Sequence, residues 1–376
     1  MNVSYIVNAR IPTEKAHGFQ IMKVCEEFAR KGVKTELVVP NRSSAIVKDP
    51  FSYYGIESSF PIRRLGVDVF RFQSLFGSIT HGLQSLAFLY SLSRYTPSKE
   101  TIIYTRNPEI CWLFRLRGYR AVYNAHNWTN THPSIFQLLT RSASGVVCNS
   151  FGTAKEFSTH GYQKVFVAPN GADVVTFSRI TETKEVLRAQ LGLALEKKIA
   201  MYVGHLYGWK GVDTVLAAAA TSKDKNNLFV LVGGTETDVR TCQEHCVREG
   251  IDNILVLGHK ERAMIPRYLL SADALLLPNV PTTKESENYT SPIKMFEYMA
   301  SGVPIIASNL ASIGEVLDDS TAYLVPPANP EAILTALHDI DPKAPSQRAI
   351  HAKTRVMDYT WDKHAEKVIA FLQTLA

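Results

Sequence analysis

The sequence predicts an α/β protein with two Rossmann-like, doubly wound domains that face each other across a cleft. Three observations lead to this fold class. Short β-branched runs alternate with longer helical patterns along the chain. Several runs are nearly all apolar, which is typical of strands buried on both faces of a parallel sheet. The pattern restarts once, at Ile199, after the charged and less periodic stretch Thr176–Lys198.

The candidate strands fall into two groups, one on each side of this restart. The first group is Val3–Asn8, Lys34–Pro40, Thr101–Thr105, Ala121–Asn124, Gly145–Asn149 and Val165–Ala168. The second group is Ile199–Val203, Leu228–Val232, Ile254–Leu257, Ala274–Leu277, Pro304–Ala307 and Ala322–Val325. Helical patterns such as Gly18–Lys31 and Val212–Ala220 lie between the strands. We therefore expect two domains joined by a hinge near residues 171–197, with any ligand at the carboxyl ends of the strands.

Composition and charge narrow the class of protein. The 376 residues are 45% hydrophobic and 20% charged, which is ordinary for a soluble globular protein. A formal net charge of +6 fits an acidic small ligand or an anionic membrane surface, but an ordinary solvated surface explains it equally well. No uninterrupted apolar window of about 18 residues occurs, so we expect no membrane span. The start lacks the pattern of a signal peptide, so we expect a cytoplasmic protein.

The cysteines are few and scattered. An odd number in a chain of this length favours free thiols over disulfides. Cys242 and Cys246, with His245 between them, are too few to complete a metal site, so no metal site is predicted. The five cysteines are Cys25, Cys111, Cys148, Cys242 and Cys246.

The segment "TSPIKMFEYMASGVP" has the signals of a short helix. Thr290 or Ser291 suits the N-cap, and Pro292 suits the first helical position. Gly302 is expected to end the helix in a left-handed conformation, and Pro304 cannot continue it. The amino end of such a helix has free backbone N–H groups and a partial positive charge. It is therefore a candidate anion site.

Glu297 lies one helical turn after Ile293 and Lys294, on the same face of this helix. Two interpretations of Glu297 are open. Its carboxylate accepts hydrogen bonds from sugar hydroxyls beside a phosphate that is held by the amides of Ile293 and Lys294. Alternatively, Glu297 only pairs with Lys294 and Ser291 only caps the helix.

A second segment, "MYVGHLYGWKGVDTV", indicates a strand, a glycine turn and a helix. His205 and Lys210 lie on the turn, where Lys210 either adds a point charge to a diphosphate or is simply solvated. Neither the P-loop pattern nor the G-x-G-x-x-G pattern of dinucleotide-binding folds occurs in the chain.

Ordered motifs along nearly the whole chain resemble one family. They are "EKAHGFQIMKVCEEFARKGVKTELVVP", "YTRNPEI", "VYNAHNW", "VAPNGAD", "VGHLYGWKGVDTV", "LFVLVGG", "ADALLLPN", "SPIKMFEYMASGVPIIASNLASIGEVL" and "YTWDKHAEKV". This set resembles the retaining glycosyltransferases of family 4, which have the GT-B fold. The resemblance is strongest over residues 199–317.

The resemblance implies a site for a nucleoside diphosphate sugar. Gly18, on a loop after the first strand, would approach the diphosphate through its backbone. Lys210 would bind the diphosphate, and the amides of Ile293 and Lys294 would hold phosphate. Glu297 would hold the ribose. His205, Tyr289, Thr290 and Ser291 complete the expected donor-binding set.

The resemblance also implies roles for the domains. Residues 1–172 would bind the acceptor, residues 173–358 would bind the donor, and residues 359–376 would cross back to the first domain as a helix. His126, in "NAHNW", would face the transferred sugar; the alternative is a loop histidine without a role. His126, Lys210 and Glu297 are thus the candidate catalytic residues.

Two positions depart from the family pattern. His205 stands where the family has an arginine beside its phosphate-binding lysine, and a neutral imidazole is a weaker phosphate ligand. Tyr289 stands where the family has the first of two glutamates spaced eight positions apart. Glu285 and Glu287 are near enough in sequence to substitute for it.

The implied reaction transfers a hexose-type sugar from a UDP- or GDP-sugar to a glycan or lipid-linked acceptor, with retention at the anomeric carbon. It would serve the synthesis of surface polysaccharides or glycoconjugates, without cofactor, divalent metal or nucleic acid. The apolar segment Val67–Leu92, preceded by Arg63 and Arg64, is expected to pack on the first sheet. The alternative is peripheral contact with the inner face of the cell membrane.

The sequence leaves open other functions for a protein with the same two-domain architecture. A nucleotide-sugar epimerase would need no acceptor, and a non-catalytic nucleotide-sugar-binding partner is made conceivable by His205 and Tyr289. A dehydrogenase with two Rossmann-like domains is disfavoured because the glycine fingerprint is missing.

Overall fold

The structure is a computed structural model that describes residues 1–44, 46–72, 77–129 and 131–375. The chain forms two compact units. The first comprises Met1–Pro169 and Trp361–Ala376, and the second comprises Asn170–Thr360. The sequence placed the corresponding boundaries after residues 172 and 358.

The first unit is built on a parallel sheet of seven strands in the order β3-β2-β1-β4-β5-β6-β7. The order reverses between β1 and β4, which is the switch point of a doubly wound sheet. The strands are β1 Asn2–Ile6, β2 Lys34–Pro40, β3 Ile62–Leu65, β4 Ile102–Thr105, β5 Ala121–Ala125, β6 Gly145–Cys148 and β7 Val165–Val167. The helices of this unit are Ala16–Arg30, Pro50–Tyr54, Thr80–Arg94, Pro108–Leu116, Pro133–Thr140, Phe151–Thr159 and Trp361–Gln373.

The last of these helices returns to the first unit from the far end of the chain. It packs against the helix Ala16–Arg30. The rings of Phe19 and Trp361 meet edge to face with centroids 6.2 Å apart, and Lys31 pairs with Asp362 at 2.9 Å. The helix is amphipathic, so its buried side chains, Val368 and Leu372 among them, complete the core of the first unit.

The second unit is built on a parallel sheet of six strands in the order β10-β9-β8-β11-β12-β13, and its switch point lies between β8 and β11. The strands are β8 Lys198–Val203, β9 Asn227–Val232, β10 Ile254–Val256, β11 Ala274–Leu277, β12 Ile305–Ser308 and β13 Tyr323–Val325. The helices are Val174–Ser178, Lys184–Leu191, Val212–Thr221, Glu236–Arg248, Ile265–Ser271, Ile293–Ser301, Ala311–Gly314, Pro330–Asp339 and Gln347–Arg355.

The predicted fold class of two parallel, Rossmann-like α/β domains is confirmed, and every predicted strand is present with small shifts at its ends. The sequence missed β3, whose residues are Ile62, Arg63, Arg64 and Leu65. This strand forms the edge of its sheet, where charged side chains protect the open edge and remove the apolar signature. The prediction of free thiols is also confirmed, because all five cysteines are unpaired and buried.

The apolar segment Val67–Leu92 includes most of the helix Thr80–Arg94, while its residues 73–76 lie outside the described residues. Gln84, Phe88 and Leu92 are buried on this helix, which packs on β2 and β3 as expected. Its opposite face exposes Leu86 and Tyr90. Among the described helices, none combines the length and the apolar character needed to traverse a bilayer.

Candidate functional site

The candidate site in the second unit lies at the switch point of its sheet. Gly204 directly follows β8 and Gly233 directly follows β9, both with positive φ, and these two turns pack closely on each other. A Cβ atom on Gly233 would lie only 2.2 Å from the carbonyl oxygen of Gly204, so this approach requires glycine. Ligands of doubly wound sheets bind at such a carboxyl edge. The turn after β8 is the one that leads to Lys210.

Lys210 is the last residue of a short 3₁₀ turn, Gly208–Lys210, and only Gly211 separates it from the helix Val212–Thr221. Its ammonium lies 3.6 Å from the ring centroid of Trp209. The backbone N–H of Val280, in the loop after β11, donates to the carbonyl oxygen of Trp209 at 3.1 Å and ties the two loops together. Burial lowers the pKa of Lys210 to about 8, and the nearby carboxylate of Glu285 opposes this shift.

His205 occupies the same turn. Its ring stacks on Tyr207 with centroids 4.9 Å apart, and its carbonyl oxygen accepts a hydrogen bond of 2.5 Å from the hydroxyl of Tyr202. The stacked ring and the bonded backbone fix the turn between β8 and Lys210.

The helix Ile293–Ser301, hereafter the Ile293 helix, begins one residue later than expected. Pro292 is at its N-cap, so the predicted caps at Thr290 and Ser291 are wrong. Ser291 instead packs against Asn170, because its hydroxyl accepts from the Asn170 N–H at 3.2 Å and its carbonyl oxygen accepts from the Asn170 side chain at 2.6 Å. No side chain of the described residues caps the Ile293 helix. Gly302 ends it with φ of +72°, as predicted.

Lys294 projects its side chain from the first turn of the Ile293 helix toward the end of β8. Its ammonium lies 3.8 Å from the ring centroid of Tyr202. Burial lowers the pKa of Lys294 well below its usual value, and the charge of Lys210 lowers it further. The structure therefore brings two lysines together beside an uncapped helix, which is an arrangement suited to an anion.

Glu297 is buried on the Ile293 helix, and its carboxylate pairs with the guanidinium of Arg262 rather than with Lys294. Arg262 comes from the turn Arg262–Met264, between β10 and the next helix. Burial lowers the pKa of Arg262 to about 10, an effect that the nearby Asp173 opposes. The sequence missed Arg262 because it lies 35 residues from Glu297 and in no motif. The ion pair with Arg262 fixes the orientation of the Glu297 carboxylate.

Replacing Arg262 with alanine is expected to lower the free energy of unfolding by roughly 2–4 kcal/mol, because a buried carboxylate loses its charged partner. The side chain of Glu297 is 7% exposed and that of Arg262 is 30% exposed, so solvent replaces only part of the interaction. Urea unfolding of the wild type, Arg262→Ala and the double variant Arg262→Ala/Glu297→Gln measures the effect. The double variant is expected to recover part of the loss, and an unchanged midpoint for Arg262→Ala would refute the prediction.

Tyr289 is the last residue of a single wide helical turn, Glu285–Tyr289, and Thr290 follows it before the Ile293 helix. Tyr289 is buried, and the hydroxyl of Thr290 donates to the carbonyl oxygen of Glu285 at 2.6 Å. Glu285 and Glu287 were considered as substitutes for a glutamate at position 289. The carboxylate of Glu285 is near enough to Lys210 to raise the pKa of its ammonium. Glu287 is exposed.

Asn279 is a candidate that the sequence did not single out. It follows β11 in "ADALLLPN" and is 1% exposed. Neither its amide nitrogen nor its amide oxygen has a hydrogen-bond partner among the described residues. Buried amides are normally bonded, so Asn279 is a further candidate for contact with a polar ligand at the switch-point edge. Its position directly after a central strand is the signal that sequence reasoning could have used.

His126 lies in the first unit, directly after β5. Burial lowers its pKa well below the usual value, and the charge of Arg106 and the imidazoles of His364 and His17 lower it further. The imidazole is therefore neutral near pH 7, and its buried Nε2 has no hydrogen-bond partner among the described residues.

Gly18 differs from expectation. It lies within the helix Ala16–Arg30 rather than on a loop, and it is buried. A Cβ atom there would lie 2.1 Å from the Tyr54 hydroxyl, which donates to the Thr13 carbonyl oxygen at 2.8 Å and accepts from the Thr13 N–H at 2.7 Å. Close packing on Tyr54 therefore explains this glycine.

Comparison with known proteins agrees with this architecture. Residues 183–355 match the family of glycosyl transferases group 1. The solved structure of Anabaena Alr3699/HepE in complex with UDP-glucose is similar to the whole chain, with a TM-score of 0.76 at 17% sequence identity. The alignment covers 100% of both chains. The fold is GT-B. The segment matched by the family contains Lys210, Lys294 and Glu297, so the candidate site belongs to the better-matched GT-B domain.

Curated relatives of this GT-B chain are glycosyltransferases by name. The D-inositol 3-phosphate glycosyltransferase of Corynebacterium diphtheriae is 26% identical over 216 residues, which cover 54% of this chain and 48% of the relative. The amylovoran biosynthesis glycosyltransferase AmsK of Erwinia amylovora is 25% identical over 177 residues, covering 44% of this chain and 42% of the relative. The chain spans about half the length of these curated relatives.

Proposed function

We propose that the protein is a glycosyltransferase that moves a hexose-type sugar from a nucleoside diphosphate sugar to a glycan or lipid-linked acceptor. The position of Lys210 at the switch-point edge, together with the uncapped Ile293 helix, carries this proposal. Lys210 and the helix amides bind the donor diphosphate, and Glu297, held by Arg262, accepts hydrogen bonds from the ribose hydroxyls. Synthesis of a surface polysaccharide or glycoconjugate is the corresponding role, and the name of AmsK supports it.

The proposed mechanism retains the anomeric configuration. The acceptor hydroxyl attacks from the face of the departing diphosphate, and a leaving phosphate oxygen takes the proton. Negative charge grows on the diphosphate as the glycosidic bond breaks, and the fixed positive groups stabilise it in the transition state. These groups supply the charge that a divalent metal supplies elsewhere, so the proposed reaction proceeds in the presence of EDTA. His126 of the first unit is assigned to the transferred sugar as a neutral hydrogen-bonding group.

Two measurements test the proposal. Thermal unfolding is recorded with UDP-, GDP-, ADP- and dTDP-sugars, since a ligand of the native state raises the melting temperature. The donor that binds is then incubated with candidate acceptors, and the product linkage is read by NMR. A new linkage with the anomeric configuration of the donor supports the proposal. Epimerisation of the sugar without an acceptor, inversion, or binding without turnover over the acceptors tried would each count against it.

The pH dependence of kcat/KM is expected to show the ionisation of Lys210. Its pKa is lowered to about 8 in the free protein, so the ammonium is present below pH 8 and is lost as the pH rises through 8. We expect kcat/KM to fall above pH 8 by up to about tenfold per pH unit, because kcat/KM reports groups of the free enzyme. The Lys210→Arg variant should lack the part of this fall that the ionisation of Lys210 causes, since a guanidinium stays charged. A fall of the same position and size in Lys210→Arg would assign the ionisation to another group.

A further inference from the structure

The ammonium of Lys294 is unusual among the charged groups of the second unit. Its Nζ atom is shielded from solvent and has no hydrogen-bond partner among the described residues. The ring of Tyr202, whose centroid lies 3.8 Å from Nζ, attracts the positive charge. The ring does not replace the oxygen atoms that normally accept hydrogen bonds from the three N–H groups of an ammonium. A buried ammonium is costly unless it is paired, and replacing such a group with an apolar one of similar size is often stabilising. Lys294 therefore does not act mainly as a structural residue.

The position of this ammonium is set by three elements. It extends from the first turn of the Ile293 helix, over Tyr202 of β8, to Gly204 at the start of the glycine turn. A Cβ atom on Gly204 would lie 3.6 Å from Nζ, so the ammonium is next to the backbone of the turn that carries Lys210. The two lysines are near enough for the charge of Lys210 to act on Lys294. The positive charges of the two lysines repel each other, and an anion shared between them removes the repulsion.

We propose that the side chain of Lys294 is the second cation of the donor site and holds the pyrophosphate together with Lys210. This inference rests on the proposed function. It accounts for the histidine at position 205, which does not supply the permanent charge of an arginine: the charge comes instead from the Ile293 helix and reaches the same turn from the other side. The contribution of Lys294 is thus a side-chain charge in addition to its backbone amide.

The two roles of Lys294, ligand binding and packing, predict opposite effects on the free protein. Lys294→Met keeps the length of the aliphatic chain and removes the charge. If the ammonium serves the ligand, Lys294→Met should leave the melting temperature of the ligand-free protein unchanged or raise it. The same variant should weaken binding of a nucleoside diphosphate on the order of 10-fold to 100-fold, as expected for a lost charge-assisted hydrogen bond. A packing residue would instead lower the melting temperature.

The experiment uses the full chain and calorimetric titration with UDP, GDP, ADP and dTDP, keeping whichever binds the wild type most tightly. Lys294→Met and Lys294→Gln are compared with Lys223→Met, which removes one positive charge at an exposed position after the helix Val212–Thr221. Lys223→Met is expected to bind as the wild type does. Lys294→Gln provides a second uncharged variant should methionine prevent folding.

The outcomes separate this inference from the proposed function. Weaker binding by the Lys294 variants, with the ligand-free stability retained, supports the inference. Wild-type affinity in a folded Lys294 variant overturns the inference and leaves the proposed function standing. A loss of stability that parallels the loss of affinity also overturns it, because it assigns Lys294 to packing. Failure of the wild type to bind any of the four nucleotides overturns both proposals.

Discussion

Replacing Lys210 with methionine is expected to lower kcat/KM by ~10²-fold or more. The ammonium lies at the switch-point edge of the second sheet, on a turn fixed by glycines and by the hydrogen bond between Val280 and Trp209. A charge held in place in a partly buried site stabilises the departing diphosphate without rearrangement, and removal of one such group typically lowers the rate by this factor. Steady-state kinetics with the donor varied at a fixed acceptor concentration measures the effect.

Two controls make this result specific to the charge of Lys210. Lys210→Arg keeps the positive charge and should retain more activity than Lys210→Met, although the guanidinium has a different shape. Lys223→Met removes an equal charge from an exposed position and should leave kcat/KM unchanged. Melting temperatures of all variants exclude unfolding as the cause. Wild-type kcat/KM in a folded Lys210→Met variant would remove Lys210 from the site.

The fold was largely predictable because its main signal is local. Buried parallel strands such as Ile199–Val203 are apolar on both faces, and no tertiary information is needed to recognise them. The miss at Ile62–Leu65 has the same physical basis, since an edge strand with Arg63 and Arg64 lacks that signature. The end of the Ile293 helix was also predictable, because Gly302 adopts the left-handed conformation that favours glycine.

The place of a candidate residue was predictable where the local pattern of glycines and apolar residues decides it, as for Lys210 on its turn. It was not predictable where the packing of segments that are distant in sequence decides which partner a side chain binds. Ser291 was predicted to cap the Ile293 helix, but its hydroxyl and its carbonyl oxygen accept hydrogen bonds from Asn170 instead. A pairing of Glu297 with Lys294 was one of the two interpretations from the sequence, but the carboxylate pairs with Arg262 instead. The unpartnered amide of Asn279 shows only when its surroundings are known.

Replacing Gly211 with alanine is expected to destabilise the second unit by about 3–5 kcal/mol, which is a large part of the stability of a typical domain. Two effects add. Gly211 has φ of +79°, where a side chain costs roughly 1–2 kcal/mol. In addition, a Cβ atom there would lie 1.7 Å from the carbonyl oxygen of Pro278, so the backbone on one side must move. Urea unfolding of the variant measures the loss of free energy.

Gly250→Ala is the matched control for the conformational part of this effect. Gly250 has φ of +65°, and a Cβ atom there would meet no atom within 4 Å. Its substitution should therefore lower the free energy of unfolding by only about 1–2 kcal/mol. The difference between the two variants measures the clash with Pro278 alone. Because that clash separates the turn of Lys210 from the loop of Asn279, Gly211→Ala should also weaken nucleoside diphosphate binding, whereas Gly250→Ala should not. Equal losses of stability in the two variants would show that the two loops are not packed as the structure describes.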